Sequence, residues 1–303
     1  MAHWTKVNGT AYAITGGQCK VNGTAYAITG GKTKVSGAVY DISLENYQPV
    51  LDDNSWSAIS RASQAGIAAS LWSVGDTKAV TLSSPVQRST TQETLWVYIL
   101  GFDHNASVEG SGIQFGCFLS AETGGVELCL ADDRYGTDNQ GAGYESMNFF
   151  TAEADALPWP QSRMRLAVLG SADAVTSPAP GTLMAALPAE LRAVMQPITK
   201  YTADNGGVTA TTEYLPLPAE KEVLGAVTCG NQAEGDYQAQ YAFYSLGLSA
   251  ARYRADAPQT AAFFWTRSAS GSQAGYAVYC ADNTQSGQLP GTASLGIAPV
   301  FKV

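Results

Sequence analysis

The sequence predicts an α+β protein in which short N-terminal β-hairpin repeats precede a mixed globular domain. The first part of the chain repeats a 14-residue unit, with equivalent lysines at positions 6, 20 and 34. Helical apolar patterns then occur in the middle of the chain, and the last third returns to short apolar runs between Gly- and Ser-rich segments. Helices and strands separated in this way are typical of the α+β class. We predict a stalk over residues 1–44 and a globular domain over residues 45–303.

The predicted stalk consists of three related units. The first two both read KVNGTAYAITGG, and the third, KVSGAVYDISL, is a diverged copy. Each unit has an Asn-Gly or Ser-Gly pair between β-prone runs, and Asn-Gly favours a two-residue hairpin turn because both turn positions require positive φ. Strands this short bury little apolar surface by themselves. We therefore expect the hairpins to contact another chain or the globular domain, and we expect a homo-oligomer, with a trimer as the favoured state.

The globular domain opens with a predicted helix and two predicted strands. Asp53 or Asn54 is suited to cap a helix that runs to about residue 72. A strand follows at 78–82, and the continuous apolar run 95–102 has the pattern of a central strand covered on both faces. The apolar face of the predicted helix comprises Trp56, Ile59, Ile67 and Leu71.

A hairpin is predicted over residues 113–131, with its turn at 121–125. Cys117 and Cys129 are equally far from that turn and could face each other across the two strands. The interpretation we favour is two small packed thiols that stay reduced during synthesis in a cytosol. The five cysteines of the chain include no CxxC pair, so the sequence indicates neither a zinc site nor a disulfide framework.

The second half of the domain mixes helical and strand patterns. Residues 159–165 form a helical patch, and a short helix carrying Leu187 and Leu191 on its apolar face is predicted to end at Pro197. Trp265 and Arg267 are assigned to the core, as an aromatic anchor beside a hydrogen-bonding guanidinium. The strands predicted in the last third are 263–268, 275–280 and 295–303.

Several motifs occur in an order that resembles an uncharacterised domain family of phage and prophage virion proteins and of surface proteins of Gram-positive bacteria. The Gly-Thr-Ala-Tyr repeats in front resemble those that precede the same domain in phage structural proteins. The resemblance covers nearly all of the chain after Glu45. The motifs that carry it are GFDHN (101–105), ESMNFF (145–150), WPQSRMR (159–165), LPAELRAVMQPITK (187–200), FFWTRS (263–268) and LGIAPVFKV (295–303).

The C-terminal pattern further resembles C-type-lectin-like folds of the formylglycine-generating-enzyme type. It consists of Trp-x-Arg-Ser followed by Gly-x-x-Pro-x-Phe. The resemblance implies a fixed core with Trp265 and Phe301 buried, and C-terminal loops that can be diversified for ligand binding. Ala298 departs from the pattern, because related sequences often have Arg before the Pro. A buried Arg network implied by the family could therefore be missing here.

The composition excludes several classes of partner. The net charge is −9, with 17 Lys and Arg against 26 Asp and Glu. Nucleic-acid binding requires clustered basic residues, and an anionic membrane surface would repel this chain. Residues 1–10 lack the apolar core of a signal peptide, and no run approaches the roughly 18 apolar residues of a membrane helix. We expect a soluble protein, made in a host cytoplasm, with no nucleic-acid partner and no membrane insertion.

No catalytic residue and no metal site are predicted. His104 follows Asp103 directly, which does not suit a catalytic triad, and the GxSxG nucleophile motif does not occur. We therefore assign His104 and Asn105 to hydrogen bonds that satisfy loop backbone. Asp132, Asp133 and Asp138 lack the ligand spacing of an EF-hand, and the motifs of calcium-dependent lectins do not occur either. The carboxylates Glu109, Glu122 and Glu127 could serve a glycosidase only if two of them were paired in space.

The predicted ligand-binding residues lie near the C-terminus. Tyr and Asn among Ser and Gly resemble the composition of a paratope, in which stiff aromatic contacts combine with adaptable polar ones. Loops on a rigid scaffold commonly carry recognition. We therefore expect one exposed loop surface, far from the stalk, formed by Tyr276, Tyr279, Asp282 and Asn283.

The sequence and its resemblance indicate a virion protein of the tail-fibre or receptor-binding type that acts outside the cell. Its expected partners are other virion proteins, through the repeats, and a host-surface glycan or protein, through the domain. We expect no enzymatic activity and no cofactor. The alternatives are a capsid or tail decoration protein without a ligand of its own, and a polysaccharide-cleaving tail spike.

Overall fold

A computed structural model describes short strands within residues 4–42 and most of the remaining chain. The chain divides into two compact units, Met1–Gln48 and Pro49–Val303, whereas the sequence analysis placed the division after residue 44. Strands and short helices alternate along it, so the α+β class is confirmed at this coarse level. Beyond the N-terminal strands, the described residues are 47–82, 94–129, 158–172, 175–204, 207–248, 252–254, 257–293 and 295–303.

The N-terminal unit contains three two-stranded antiparallel hairpins, one for each sequence unit. The expected Asn-Gly and Ser-Gly turns at 8–9, 22–23 and 36–37 lie outside the described residues. The contacts expected for these hairpins therefore remain a prediction. The strands are β1 Trp4–Val7, β2 Thr10–Ala13, β3 Gln18–Val21, β4 Thr24–Ala27, β5 Gly31–Val35 and β6 Ala38–Ile42.

The 49–303 unit contains short helices and two larger sheets. Its strands are β7 Thr77–Thr81, β8 Thr94–Phe102, β9 Ile113–Leu119, β10 Glu127–Leu128, β11 Ile198–Asp204, β12 Gly207–Glu213, β13 Arg252–Arg254, β14 Ala257–Ala262, β15 Phe264–Ala269, β16 Tyr276–Cys280, β17 Ser286–Pro290 and β18 Phe301–Lys302. Its helices are α1 Trp56–Gln64, α2 Ala68–Leu71, α3 Ala106–Glu109, α4 Leu183–Ala186, α5 Ala189–Arg192, α6 Glu220–Leu224 and α7 Ala242–Ser245. Within the described parts of the chain, none of the helices has the length and apolarity required to cross a bilayer.

The predicted first helix is shorter than expected and is capped differently. The Ser55 hydroxyl, rather than Asp53 or Asn54, accepts the capping hydrogen bond, from the Ala58 backbone N–H at 3.2 Å. Asp53 instead lies in the 3-10 turn Leu51–Asp53. The predicted cap is therefore wrong by one or two positions.

The same helix is interrupted before the end that the pattern predicts. Gly66 adopts φ +67°, a left-handed conformation that ends α1, and the chain re-enters a helix only at α2. Because of this break, Ile67 turns towards solvent and is 39% exposed. Trp56 and Ile59, in contrast, are buried as predicted.

The larger sheet has seven strands in the order β14-β13-β10-β9-β8-β7, and β18 also pairs with β9. All neighbours are antiparallel except β10 and β13. The predicted central strand 95–102 corresponds to β8, which lies between β7 and β9. Trp56 of α1 packs on this sheet, with ring centroids 5.3 Å from Phe115 and 5.9 Å from Phe301.

The last third forms a three-stranded antiparallel sheet in the order β15-β16-β17. Strands β15 and β16 confirm the predicted strands at 263–268 and 275–280 to within one residue at each end. Trp265 and Phe301 are both 0% exposed, as predicted. A separate hairpin, β11-β12, precedes this sheet in the chain.

The WPQSRMR motif serves the fold. Glu213, at the end of β12, accepts hydrogen bonds from Trp159 Nε1 at 2.9 Å, from Arg165 Nε at 2.7 Å and from Ser171 Oγ at 2.5 Å. Glu213 and Ser171 are fully buried. The motif continues into a π-helix, Met164–Leu169. The short helix predicted to end at Pro197 is instead the single turn α5, which has Pro188 as its N-cap and ends at Arg192.

Candidate functional site

A buried ammonium group connects three elements of the 49–303 unit. Lys200 on β11 is almost fully buried. Its Nζ donates hydrogen bonds to Glu109 Oε2 and Glu222 Oε1, each at 2.8 Å, and to the Tyr241 hydroxyl at 3.2 Å. A cation removed from water is tolerated only when it is paired and hydrogen-bonded. Lys200 therefore ties α3, which ends at Glu109, to α6, which carries Glu222.

A second buried cation binds the same carboxylate. The Arg267 guanidinium on β15 donates from Nη1 to Glu222 Oε2 at 2.6 Å and from Nη2 to Glu222 Oε1 at 2.9 Å. Burial alone would raise the pKa of Glu222, but the charges of Arg267 and Lys200 outweigh burial and hold this pKa well below its ordinary range. The core role predicted for Arg267 is confirmed, since it is 1% exposed. We call Glu109, Lys200, Glu222 and Arg267 the ion network.

His104 of the GFDHN motif packs against the ion network. Its ring stacks on Tyr241 with centroids 4.0 Å apart, and its Nε2 lies 3.8 Å from Glu109 Oε1. Burial lowers the pKa of His104 to about 4, and the positive charge of Lys200 acts in the same direction. His104 is therefore neutral at neutral pH.

The expected hydrogen bonding of this motif to loop backbone is observed for Asn105. Its Nδ2 donates to the Tyr237 carbonyl at 2.9 Å. Asp103 acts similarly, since its Oδ1 accepts from the Gly112 N–H at 3.0 Å. Asp103 and Asn105 both have positive φ, +49° and +47°, which fits the local hydrogen-bonding ability of Asp and Asn. The motif is thus a structured turn that delivers His104 to the interior.

One set of potential metal ligands comes together in the described part of the chain. Ligand atoms of His104, Glu109 and Glu222 lie within 4.8 Å of one another. The ammonium of Lys200 already lies between the two carboxylates, and Arg267 also binds Glu222. A metal ion would have to displace one buried cation beside another, so we interpret this set as part of the ion network. The acidic loop with Asp132, Asp133 and Asp138 lies outside the described residues.

Glu220 fastens the edge strand β17 to α6. Its buried carboxylate accepts hydrogen bonds from the Ser286 hydroxyl on β17, and from the Thr228 hydroxyl at 2.5 Å. The backbone N–H groups of Cys229 and Gly230 donate to it at 2.9 and 2.8 Å. Burial raises the pKa of Glu220, but these donors together lower it below its ordinary value. Glu220 therefore stays ionised and holds β17 in place.

Glu234 connects β15 to β11 in a similar way. It accepts hydrogen bonds from the Ser268 hydroxyl and from the Ala203 backbone N–H, the latter at 3.1 Å. Burial raises the pKa of Glu234. The three-stranded sheet is thus anchored through buried carboxylates at both β15 and β17.

Cys117 belongs to a separate buried cluster. Its Sγ accepts a hydrogen bond from Arg252 Nη2 at 2.8 Å and lies 3.1 Å from the Tyr244 hydroxyl. Arg252 Nη2 also donates to the Tyr244 hydroxyl at 2.6 Å. Cys117 and Cys129 are both buried free thiols, in agreement with the favoured interpretation of the sequence.

The predicted ligand-binding residues are partly exposed, but two of them are not in a loop. Tyr276 and Tyr279 lie on β16. Because successive side chains of a strand alternate between its faces, residues three apart point to opposite sides. The pairing of β16 with β17 is regular throughout, so this alternation applies. The expectation that both tyrosines share one surface is therefore wrong, whereas their role in ligand binding stays a prediction.

Asp282 and Asn283 lie in the turn that follows β16. Asp282 Oδ1 accepts hydrogen bonds from the Thr284 N–H and hydroxyl, both at 2.7 Å, and from the Gln285 N–H at 2.9 Å. The hydrogen bond from the Thr284 side chain is the largest cause of the lowered pKa of Asp282. Thr284 and Gln285 are exposed. This turn presents polar groups close to the end of β16.

Phe263 is a surface residue that was not among the predicted ligand-binding residues. Phe263 is 49% exposed, and its ring stacks on Tyr279 with centroids 4.9 Å apart and planes inclined by 19°. The sequence contained a signal, since in the pair Phe263-Phe264 adjacent side chains of an extended chain must point in opposite directions. Phe264 is fully buried. The structure therefore groups Tyr279 with Phe263 rather than with Tyr276.

No protein-family model, curated protein or solved structure matches the chain. Function therefore has to be inferred from the residues and their arrangement.

Proposed function

We propose that this chain is a phage virion protein of the tail-fibre or receptor-binding type. Its 49–303 unit is a non-enzymatic, C-type-lectin-like domain that binds a glycan or protein on the host surface. The N-terminal hairpins connect the domain to other virion proteins and support a homo-oligomer, with a trimer favoured. The protein is made in the host cytoplasm, acts outside the cell on the virion, and needs no cofactor.

The single observation that carries this proposal is the partly exposed aromatic pair on an anchored sheet. Phe263 and Tyr279 stack at the surface, although large aromatic side chains normally bury most of their area. In the same sheet, Arg267 holds β15 through the buried carboxylate of Glu222, and Ser286 holds β17 through the buried carboxylate of Glu220. A rigid base below an exposed aromatic contact is the arrangement that lowers the entropic cost of binding.

A non-enzymatic role is supported by the state of the buried carboxylates. A glycosidase needs two carboxyl groups about 5–10 Å apart that can both reach the substrate. Glu109 and Glu222 are buried and bonded to Lys200, and Glu213 is buried and bonded to Arg165. Groups held in this way support the fold, and they leave the polysaccharide-cleaving spike without a candidate pair among these residues.

Saturable binding of the full chain to whole cells of at least one species in a panel of Gram-positive bacteria is the expected result. Phe263→Ala combined with Tyr279→Ala should weaken this binding by about tenfold or more, because central aromatic contacts dominate interfaces. The measurement is co-sedimentation of labelled protein with cells, with the melting temperature recorded for each variant.

Tyr237→Ala is the matched control. Tyr237 is also a partly exposed aromatic residue in a stacked pair, with Tyr201, at 4.4 Å. It should bind cells like the parent chain. Absence of saturable binding to every species would favour the decoration protein, and release of reducing sugar from the cells would favour the spike.

A further inference from the structure

Phe263, Tyr279 and Gly287 form a partly exposed surface patch, which we call the aromatic platform. Gly287 on β17 lies directly opposite Tyr279 on β16. A Cβ atom added to Gly287 would lie 2.5 Å from the Tyr279 hydroxyl oxygen and 2.6 Å from Cζ. The outer end of the Tyr279 ring therefore lies against Gly287, and a side chain at position 287 would collide with it. Phe263 stacks on the Tyr279 ring with centroids 4.9 Å apart, so the two rings cover part of each other's inner faces and Phe263 presents the more exposed outer face.

The polar turn 281–285 borders the aromatic platform. Phe264 pairs with Cys280, so Phe263, one residue earlier, lies next to the start of this turn. Asp282 organises the turn through the hydrogen bonds that its Oδ1 accepts from residues 284 and 285. The exposed Thr284 and Gln285 side chains supply hydroxyl and amide groups beside the rings. The two stacked rings are thus bordered by hydrogen-bonding groups at one end.

Charge excludes an anionic ligand for this surface. Asp282 is a carboxylate that local hydrogen bonds keep ionised, and the chain carries a net charge of −9. The basic residue nearest in sequence on β15, Arg267, is buried and bonded to Glu222. Along β15–β17 and the turn 281–285 it is the only basic residue, so a phosphate- or carboxylate-bearing polymer would meet repulsion from Asp282 without a compensating cation on these strands.

Size and shape favour a sugar ring over a protein surface. A stable protein–protein interface buries about 800 Å² on each partner and has a broad apolar core. The aromatic platform comprises two rings, and the neighbouring positions of β17 carry Ser286, Gly287 and Gln288. A pyranose ring matches this pattern, because its C–H face can lie on the negative face of an aromatic ring while its hydroxyls bond to polar groups at the rim.

We propose that the aromatic platform binds a hexopyranose ring of an uncharged polysaccharide on the host surface. The outer face of Phe263 packs on the C–H face of the sugar, and the Tyr279 ring supports Phe263 from its inner face. Asp282 accepts hydrogen bonds from its hydroxyl groups, and the Gln285 amide donates and accepts at the same rim. This inference rests on the proposed function and adds to it the chemical class of the receptor.

The test compares treated cells of a species that the parent chain binds. Periodate, which cleaves vicinal diols of sugars, should abolish binding, whereas protease treatment of the cells should leave it intact. The affinity should be nearly unchanged between low salt and about 0.5 M NaCl, because an uncharged ligand gives no screened attraction. Soluble neutral polysaccharide extracted from the same cells should compete for binding.

Four variants examine the geometry by isothermal titration with that extracted polysaccharide. Tyr279→Phe keeps the ring and should bind within about threefold of the parent, whereas Tyr279→Ala should lose about tenfold or more. Gly287→Ala should also weaken binding, because the new Cβ displaces the Tyr279 ring. Asp282→Asn removes the charged acceptor and should cause a smaller loss. Tyr237→Ala again serves as the control.

The outcomes separate this inference from the proposed function. If protease abolishes cell binding and periodate does not, the receptor is a protein: the polysaccharide inference fails and the receptor-binding function stands. Steep loss of binding with salt would equally overturn an uncharged ligand. If the parent chain binds no cells at all, both proposals fail.

Discussion

Glu222→Gln is expected to lower the free energy of unfolding by about 3–5 kcal/mol, which is the usual cost of removing one partner from a buried ion pair. The amide keeps the shape of the side chain but removes the only charge that faces both Lys200 and Arg267 at hydrogen-bond distance. Lys200 would then keep Glu109 as its hydrogen-bonded carboxylate, whereas Arg267 would lose its hydrogen-bonded carboxylate. Urea denaturation of the parent and the variant measures the difference.

The matched control for this substitution is Glu190→Gln. Glu190 lies in the first turn of α5 and is exposed, so the same chemical change there should alter stability by no more than about 0.5 kcal/mol. A Glu222→Gln effect as small as the control would show that the ion network contributes little to the fold.

A double-mutant cycle tests whether the network acts as a unit. Lys200→Met removes the cation that Glu222 shares with Glu109. When Glu222→Gln and Lys200→Met are combined, the loss of stability should be smaller than the sum of the two single losses, because each substitution removes the charge that the other leaves unpaired. Additive losses would mean that the two residues contribute independently.

Two strands of the three-stranded sheet, β15 and β16, could be predicted because their information is local, whereas β17 was not predicted and the strand predicted at 295–303 is limited to β18 in the larger sheet. The apolar runs around Trp265 and Val278 stand between Gly- and Ser-rich segments, and such runs define strands without knowledge of the rest of the fold. The first helix shows the limit of the same reasoning. The apolar period continues through Ile67, but the backbone conformation of Gly66 ends the helix before that period does.

The ion network could not be predicted because its members are far apart in sequence. Lys200 is separated from Glu109 by 91 residues and from Glu222 by 22, and Arg267 is 45 residues from Glu222. Charged residues are ordinarily exposed, so no sequence pattern marks those that are buried as partners. Only Arg267 was assigned to the core, through its place beside Trp265 in the FFWTRS motif.

The candidate site was predicted in composition but not in geometry. Tyr279 and Asp282 were selected because Tyr and Asn among small residues resemble a binding loop. Composition does not reveal that Tyr279 lies on a strand, and the spacing that places Tyr276 on the opposite face becomes informative only once the strand is known. Phe263 was predicted only as the first residue of the strand 263–268, and only Trp265 and Arg267 of that strand were assigned to the core.

Acid is expected to destabilise the protein through His104. The folded chain holds this histidine neutral, with a pKa of about 4, whereas an unperturbed histidine has a pKa of 6.5. The unfolded chain therefore binds a proton that the folded chain does not bind between these two values. Its contribution to stability is fully present above pH 6.5 and is lost progressively as the pH falls from 6.5 towards 4. At pH 5 the loss relative to neutral pH is about 2 kcal/mol.

His104→Gln should remove this part of the pH dependence. The free energy of unfolding, measured by urea denaturation at pH 7.5 and at pH 5, should fall by about 2 kcal/mol less in the variant than in the parent. Replacing the ring that stacks on Tyr241 also costs packing energy. This loss is the same at both pH values, so it cancels in the difference. His3→Gln removes the other of the two histidines and controls for the loss of any histidine. Equal falls in the parent and in His104→Gln would contradict a buried neutral His104. Loss of a hydrolytic activity on host polysaccharide in this variant, with the fold intact, would instead assign His104 to catalysis.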